Sequence, residues 1–148
     1  VKSFVRMSLL FENAIGKITV VSEQKQPLGP RLAQDVEESS IEVETRNEFQ
    51  SVIGDFDIIY MNSIALLEGS YELLGSEFTL DSSSPLKDDA VILHPLARRD
   101  ELDGSLDATE HNLYFAEAAG AVFMRQALLV SVLGRIDALP DSIIYLSS

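Results

Sequence analysis

The stretch Asp89-Ala90-Val91-Ile92-Leu93-His94-Pro95-Leu96-Ala97-Arg98-Arg99-Asp100-Glu101-Leu102 decides the fold, because an apolar run ends there at a polar loop that contains proline. The five residues from Ala90 do not alternate between apolar and polar, which predicts a strand buried on both faces. Ligands of open α/β sheets bind at the carboxyl ends of such strands. The sequence therefore predicts a ligand-binding loop that begins at His94.

Helical and strand patterns alternate on both sides of this strand. Helices are predicted at residues 3–14 with Ser3 as the N-cap, from Pro30 onward, at 47–53 with Asn47 as the cap, and at 113–133 after Thr109 or Asn112. Strands are predicted at residues 17–22, 41–45, 57–61 and 90–94, whereas 62–87 has a looser pattern. This order predicts an α/β fold, a three-layer Rossmann-like or flavodoxin-like parallel sheet with helices on both faces and a long C-terminal helix. That last helix is apolar on nearly all sides, so we expect it to be buried on more than one face.

Composition restricts the classes of function. A chain of 148 residues is long enough for one domain with a core. Its net charge of −13 argues against nucleic acid and anionic membrane as partners. The absence of cysteine excludes a disulfide framework and fits a cytoplasmic location. His94 and His111 are the only histidines in the sequence, so a metal site is not expected, and no cofactor is expected either. Because Arg125 and Gln126 interrupt the longest apolar stretch, no membrane span is expected, and the start at Val1 without methionine predicts a piece of a longer protein.

Four segments resemble one enzyme family. The loop from His94 to Glu101 resembles the His-Pro-Leu-Pro-Arg-Val-Asp-Glu segment of aspartate carbamoyltransferases. The segment from Tyr114 to Leu129 resembles the family's last long helix. Asp57-Ile58-Ile59-Tyr60-Met61 and Val1-Lys2-Ser3 are similar to a family strand and to a family helix start. All four occur in family order.

The resemblance implies a domain organisation. It covers residues 1–136 and corresponds to the second, amino-acid-binding domain, with 137–148 as a C-terminal extension. The first domain, whose Ser-Thr-Arg-Thr loop binds carbamoyl phosphate, has no counterpart in this chain. The resemblance also implies a homotrimer, and partners that are carbamoyl phosphate, an amino-acid acceptor, and the missing domain or a partner chain.

Site residues follow from the same resemblance. His94, Pro95, Leu96 and Arg98 are predicted to bind the substrate, and the backbone carbonyls of Pro95 and Leu96 occupy the positions that hold the carbamoyl amide in the family. Arg98 occupies the position of an arginine near the carbamoyl phosphate and aspartate groups, and a guanidinium suits that role because it pairs with planar carboxylate or phosphate. From the residues alone, an arginine in such a pair is more often one of two solvated arginines that precede Asp100 and Glu101 than a functional residue. His111 is expected to be a surface or capping residue rather than a general base.

The chain departs from the family at three positions. Ala97 replaces the proline that follows a cis bond in the family. A cis peptide bond costs about 3 to 4 kcal/mol before a non-proline residue, against about 0.5 to 1 kcal/mol before proline. The Leu96-Ala97 bond is therefore expected to be either trans or a retained, strained cis bond. Ser63 and Ala65 stand where the family's arginine and glutamine grip aspartate. Loss of both hydrogen-bonding groups predicts aspartate binding weaker by on the order of a hundredfold or more.

Three functions remain open from the sequence. The first is an amino-acid-binding domain that supports carbamoyl transfer once the missing domain completes it. The second is a non-catalytic paralogue that acts as a structural or interaction subunit, which Ser63, Ala65 and Ala97 favour. The third is a catalytic relative with a less charged acceptor than aspartate. Under each of these three functions, this chain by itself is expected to have no catalytic activity.

Overall fold

The computed structural model of the protein describes residues 1–22, 24–62 and 78–135. Within these ranges parallel strands and α-helices follow the predicted order. Their bounds are α1 Lys2–Ser8, β1 Lys17–Val21, α2 Pro30–Glu37, β2 Glu42–Arg46, β3 Ile58–Tyr60, β4 Val91–Leu93 and α3 Tyr114–Val132. Short 3₁₀ turns lie at Leu9–Phe11, Ile53–Asp55 and Gly104–Leu106. The predicted parallel strands and the long C-terminal helix are both present.

The strands form two parallel pairs. β1 pairs with β2 from Lys17 opposite Glu42 to Val21 opposite Arg46, and β3 pairs with β4. The far edge of β4 is covered, because the Ile92 N–H donates to the His111 carbonyl at 2.7 Å. In the described part of the chain, no backbone group pairs with the edge of β1 away from β2 or with the edge of β3 away from β4. Each pair therefore presents an open edge.

Each strand pair has its own core. The larger core surrounds β3 and β4 and consists of Phe49, Ile53, Ile59, Leu80, Ile92, Leu102, Leu106 and Tyr114. The smaller core consists of Val5, Val20 and Leu32, which join β1 to α1 and α2. Contact between the two halves comes from Val21, which packs against the larger core, and from Phe4, whose ring stacks on Tyr60 at 4.3 Å. The larger core is the one that supports the loop after β4.

Two predicted helices are corrected by the structure. The first ends at Ser8, and its N-cap position is Val1 rather than Ser3, without a side-chain hydrogen bond. Leu10 is 80% exposed, so the residues beyond Ser8 lack a surface that would hold them helical. The helix predicted at residues 47–53 was wrong, because the segment forms only a turn and the 3₁₀ turn Ile53–Asp55.

α3 has the predicted extent but not the predicted burial. Tyr114 is its one buried residue, and the large apolar side chains that remain exposed are Phe115, Val122, Phe123, Met124, Leu128, Leu129 and Val132. Leu113 occupies the N-cap position without a side-chain hydrogen bond, where Thr109 or Asn112 was expected. By length and composition α3 could cross a membrane, with a hydropathy of 1.3, a criterion that helices of soluble proteins also meet. The expectation of burial on several faces is therefore wrong for the chain by itself.

Substituting alanine for either of two glycines is predicted to change the free energy of unfolding in opposite directions. Gly29 precedes α2 with a φ of 74° and a ψ of 166°, a conformation that alanine adopts at a cost of about 1 to 3 kcal/mol. Gly120 lies within α3, where an added Cβ meets nothing within 4 Å. We expect Gly29→Ala to lower the free energy of unfolding in urea by that amount, and the matched Gly120→Ala to raise it by about 0.5 to 1 kcal/mol. Equal effects of the two substitutions would contradict the assigned backbone conformation of Gly29.

Candidate functional site

The loop predicted to bind ligand starts where β4 ends. Ile92 is fully buried at the centre of the strand, and His94, one residue past its end, is 1% exposed. Pro95, by contrast, is exposed and Leu96 is half-buried. The chain thus passes from the core to the surface within three residues, which places the backbone of Pro95 and Leu96 at the carboxyl edge of β4.

Hydrogen bonds fix the ring of His94. Its Nδ1 accepts a hydrogen bond from the Leu96 N–H at 2.9 Å, so this nitrogen carries no proton. Its Nε2 lies 2.9 Å from Oε1 of Glu101 and therefore donates to that carboxylate. Both ring nitrogens are used internally, so the side chain of His94 shapes the loop and is not free to contact a ligand.

Glu101 is the buried anchor of the loop, with 3% of its surface exposed. Its Oε1 also accepts from the Arg99 N–H at 3.0 Å. Burial by itself would raise the pKa of Glu101, but hydrogen bonds from the backbone N–H groups of Arg99 and Glu101 and from His94 outweigh it and lower the pKa. The carboxylate is therefore held in its charged form, and it ties residues 94 to 101 into a closed turn.

A second acidic residue joins the loop to α3. Oε2 of Glu117, in the first turn of the helix, accepts a hydrogen bond from the His94 N–H at 2.8 Å. Because α3 is anchored at this end, the direction in which it leaves the domain depends on the loop.

The backbone at the tip of the loop turns sharply. The Leu96-Ala97 peptide bond is cis, one of the two alternatives expected, and Leu96 has a φ of 49°. No backbone N–H of the described residues donates a hydrogen bond to the carbonyl of Pro95 or of Leu96. Pro95 is exposed and Leu96 is half-buried, so both carbonyls belong to the part of the loop that reaches the surface.

Arg98 is held in place from within the protein. Its Nη1 donates to Oδ1 of Asp107 and its Nη2 donates to Oδ2 at 2.7 Å, so the two planar groups form a bidentate pair. The Tyr114 hydroxyl donates to Oδ1 of the same carboxylate at 2.6 Å. The guanidinium carbon also lies 5.8 Å from the ring centre of Tyr114 and 6.0 Å from that of Phe115. The alternative that Arg98 is simply a solvated arginine is therefore wrong.

The charges of this triad stabilise one another. Hydrogen bonds from Arg98 and Tyr114 lower the pKa of Asp107 to about 2. Burial, followed by the Asp107 carboxylate, raises the pKa of Tyr114 to about 12. A guanidinium has five N–H donors, and the bidentate pair with Asp107 uses two of them. With 26% of its side chain exposed, Arg98 is a preoriented donor at the surface.

Sequence reasoning missed the partners that build the site. Glu101, Asp107 and Glu117 read as ordinary surface acids, and no periodic pattern links them to His94 or Arg98. Of the departures from the family, Ala97 lies in the loop, whereas Ser63 and Ala65 fall outside the described residues. Nδ1 of His111 lies 2.7 Å from the Ala90 carbonyl, which agrees with its structural interpretation. No three His, Cys, Asp or Glu residues in the described ranges are grouped so that they could hold a metal ion.

Comparison with known proteins supports the resemblance. No family model matches the chain. Aspartate carbamoyltransferase catalytic subunits of Aliivibrio fischeri strain MJ11 and Aliivibrio salmonicida are 34% and 33% identical to it over 107 residues. That alignment includes 69% of this chain, which spans about a third (35%) of the length of each relative.

Solved structures show the same fold. The aspartate transcarbamoylase of Trypanosoma cruzi in complex with carbamoyl phosphate and aspartate matches with a TM-score of 0.63 and 20% identity, over 85% of this chain and 41% of that enzyme. The same enzyme with aspartate and phosphate gives a TM-score of 0.63 and 22% identity, over 78% of this chain and 37% of the other. The predicted Rossmann-like fold class and the resemblance to part of an aspartate carbamoyltransferase are thereby confirmed.

The triad predicts a pH dependence of stability. The pKa of Asp107 is about 2 in the folded protein against an ordinary 3.8, so its stabilising contribution is complete above 3.8 and is lost as the pH falls towards about 2. We expect Asp107→Asn to be less stable than the wild type near neutral pH, and the difference to shrink through that window. Denaturant unfolding at a series of pH values measures this. Asp100→Asn, which removes an exposed carboxylate of the same loop, controls for the loss of charge, and a constant difference for Asp107→Asn would contradict the pairing.

Proposed function

Because the chain shares sequence with part of the aspartate carbamoyltransferase catalytic subunit and has the fold of aspartate transcarbamoylases, we propose that it is the second, amino-acid-binding domain of an aspartate carbamoyltransferase-like protein. Residues 1–136 form this domain and 137–148 extend it. Completed by a carbamoyl-phosphate domain, it supports carbamoyl transfer from carbamoyl phosphate to an amino group. By the same resemblance the assembly is a homotrimer in the cytoplasm.

The observation that carries the proposal is a pair of backbone carbonyls, without a backbone partner, beside an anchored guanidinium. Amide protons of a carbamoyl group need acceptors, and the oxygens of Pro95 and Leu96 accept no hydrogen bond from a backbone N–H of the described residues. The remaining N–H donors of Arg98 suit a phosphate or carboxylate oxygen. Because internal bonds fix His94 and Arg98, both kinds of group are positioned before a ligand binds.

The charge balance of the loop indicates that this half of the site is incomplete. Arg98 is neutralised by Asp107, and the acids Asp100, Glu101 and Glu117 outnumber the one further cation, Arg99. A terminal phosphate group carries about −1.5 to −2 charges near neutral pH and is repelled by such a surface. Carbamoyl phosphate therefore needs cations from another polypeptide, which the carbamoyl-phosphate domain supplies in this proposal.

Exposed apolar surface supports the same conclusion. α3 leaves seven large apolar side chains exposed. Contiguous exposed apolar surface usually marks an interaction site. We assign α3 to contact with the missing domain.

The amino acceptor is proposed to be less acidic than aspartate. Ser63 and Ala65 lack the charge and the amide that bind aspartate in the family. Their presence therefore lowers the affinity for an acceptor with a neutral side chain less than it lowers the affinity for aspartate. The same two residues favour the alternative, a non-catalytic paralogue that acts as a structural or interaction subunit. The loop geometry favours the catalytic interpretation, because an unused site has no need of a preoriented arginine.

Calorimetric titration of the chain joined to its carbamoyl-phosphate domain tests the proposal. We expect carbamoyl phosphate to bind. We expect the aspartate part of phosphonoacetyl-aspartate to add little to the affinity of that analogue. The double variant Ser63→Arg/Ala65→Gln should bind the bisubstrate analogue about a hundredfold more tightly, since it restores two charged-ligand hydrogen bonds. Its affinity for carbamoyl phosphate should not change.

The control for this titration removes a cation elsewhere. Arg98→Gln should weaken carbamoyl phosphate binding by about tenfold or more, whereas Lys17→Gln, at the amino end of β1 and therefore away from the carboxyl edge that carries the loop, should leave it unchanged. No binding of either ligand would favour the non-catalytic alternative.

A further inference from the structure

A second candidate site lies in the other half of the domain. A cavity of about 480 Å³ opens between the first turns of α1 and α2. The described residues that line it are Lys2, Ser3, Arg6, Leu28, Gly29, Pro30, Arg31 and Leu32. None of them belongs to the loop after β4. A volume of this size is within the range of small-molecule sites.

The charge of this cavity runs against the composition of the chain. Three of the 11 basic residues line it, and none of the carboxylates in the described ranges does, although the chain has 24 acidic residues. Other basic residues form ion pairs, since Lys17, Lys87 and Arg98 each pair with a carboxylate. In the part of the chain that the structure describes, Lys2 and Arg31 have no such partner, and only Arg6 is paired, with Asp35 at 3.2 Å.

Geometry brings these cations together. An added Cβ on Gly29 would lie 3.5 Å from Nζ of Lys2, so the ammonium group sits against the start of α2. Arg31 follows in the first turn of that helix, whose free backbone amides add a smaller positive field. With Arg6 balanced by Asp35, the cavity has a net charge of about +2. Two like charges in one concave site repel each other, and an anion removes that repulsion.

We propose that this cavity binds the phosphate group of a small phosphorylated metabolite. A phosphate monoester carries about −1.5 to −2 charges near neutral pH, which matches the unpaired charge of Lys2 and Arg31. Arg6, oriented by Asp35, supplies a third donor, and Leu28 contacts the organic part. This site goes beyond the proposed carbamoyl transfer and does not depend on it.

Calorimetric titration of the full chain with inorganic phosphate and with glycerol 3-phosphate tests this site. We expect one saturable site that weakens as salt is added, because both partners are charged and exposed. Lys2→Gln and Arg31→Gln should each weaken binding by about tenfold or more. Arg125→Gln removes the same charge from the exposed face of α3 and should leave binding unchanged. Succinate, a dicarboxylate of similar charge, should bind more weakly than glycerol 3-phosphate.

Three results would overturn the assignment. In the first, Arg31→Gln binds phosphate as tightly as the wild type does. In the second, succinate binds as tightly as glycerol 3-phosphate. In the third, Arg98→Gln loses phosphate binding but Lys2→Gln does not. The last result would place the anion at the loop after β4. Unchanged thermal unfolding of the variants, expected because the substituted side chains are exposed, shows that any loss concerns binding. Failure of carbamoyl phosphate binding would leave these outcomes unaffected.

Discussion

The buried hydrogen bond between His94 and Glu101 is the constraint on which the candidate site depends. It closes the chain from the end of β4 back onto itself at 2.9 Å, with both side chains nearly inaccessible to water. A buried carboxylate is tolerated only when donors surround it, and here the Arg99 N–H completes the set. The direction of the Pro95 and Leu96 carbonyls, the start of Arg98 and the hydrogen bond to Glu117 all follow from this closed turn.

Hydrophobic burial, in contrast, is unfinished in this chain. Ile58 of β3 is 58% exposed and Val132 of α3 is 83% exposed. A stable α/β domain covers both faces of a parallel sheet. The polar network of the loop is therefore complete while the apolar surfaces around it are not. This contrast explains why the loop is preoriented while much of the apolar surface around it is exposed.

Periodicity made part of the fold predictable. β1 was predicted at residues 17–22 and is found at Lys17–Val21, and the long helix predicted at 113–133 is found at Tyr114–Val132, because both segments have long, unambiguous apolar patterns. The helix predicted at residues 47–53 failed because seven residues are too few for propensity to outweigh the burial of Phe49 and Ile53. The pairing of Arg98 with Asp107 could not be predicted, since it depends on how the loop folds back and leaves no spacing signal.

Electrostatics separate what the two candidate sites can do. At the loop, each fixed cation is matched by an acid, so the groups there orient a ligand without attracting it from a distance. At the cavity between α1 and α2, Lys2 and Arg31 are unmatched in the described structure, so they attract an anion but lack a rigid partner that would orient it. A reaction needs orientation of the reacting group, whereas retention of a phosphate needs net charge. The loop is therefore the better candidate for chemistry, and the cavity for binding alone.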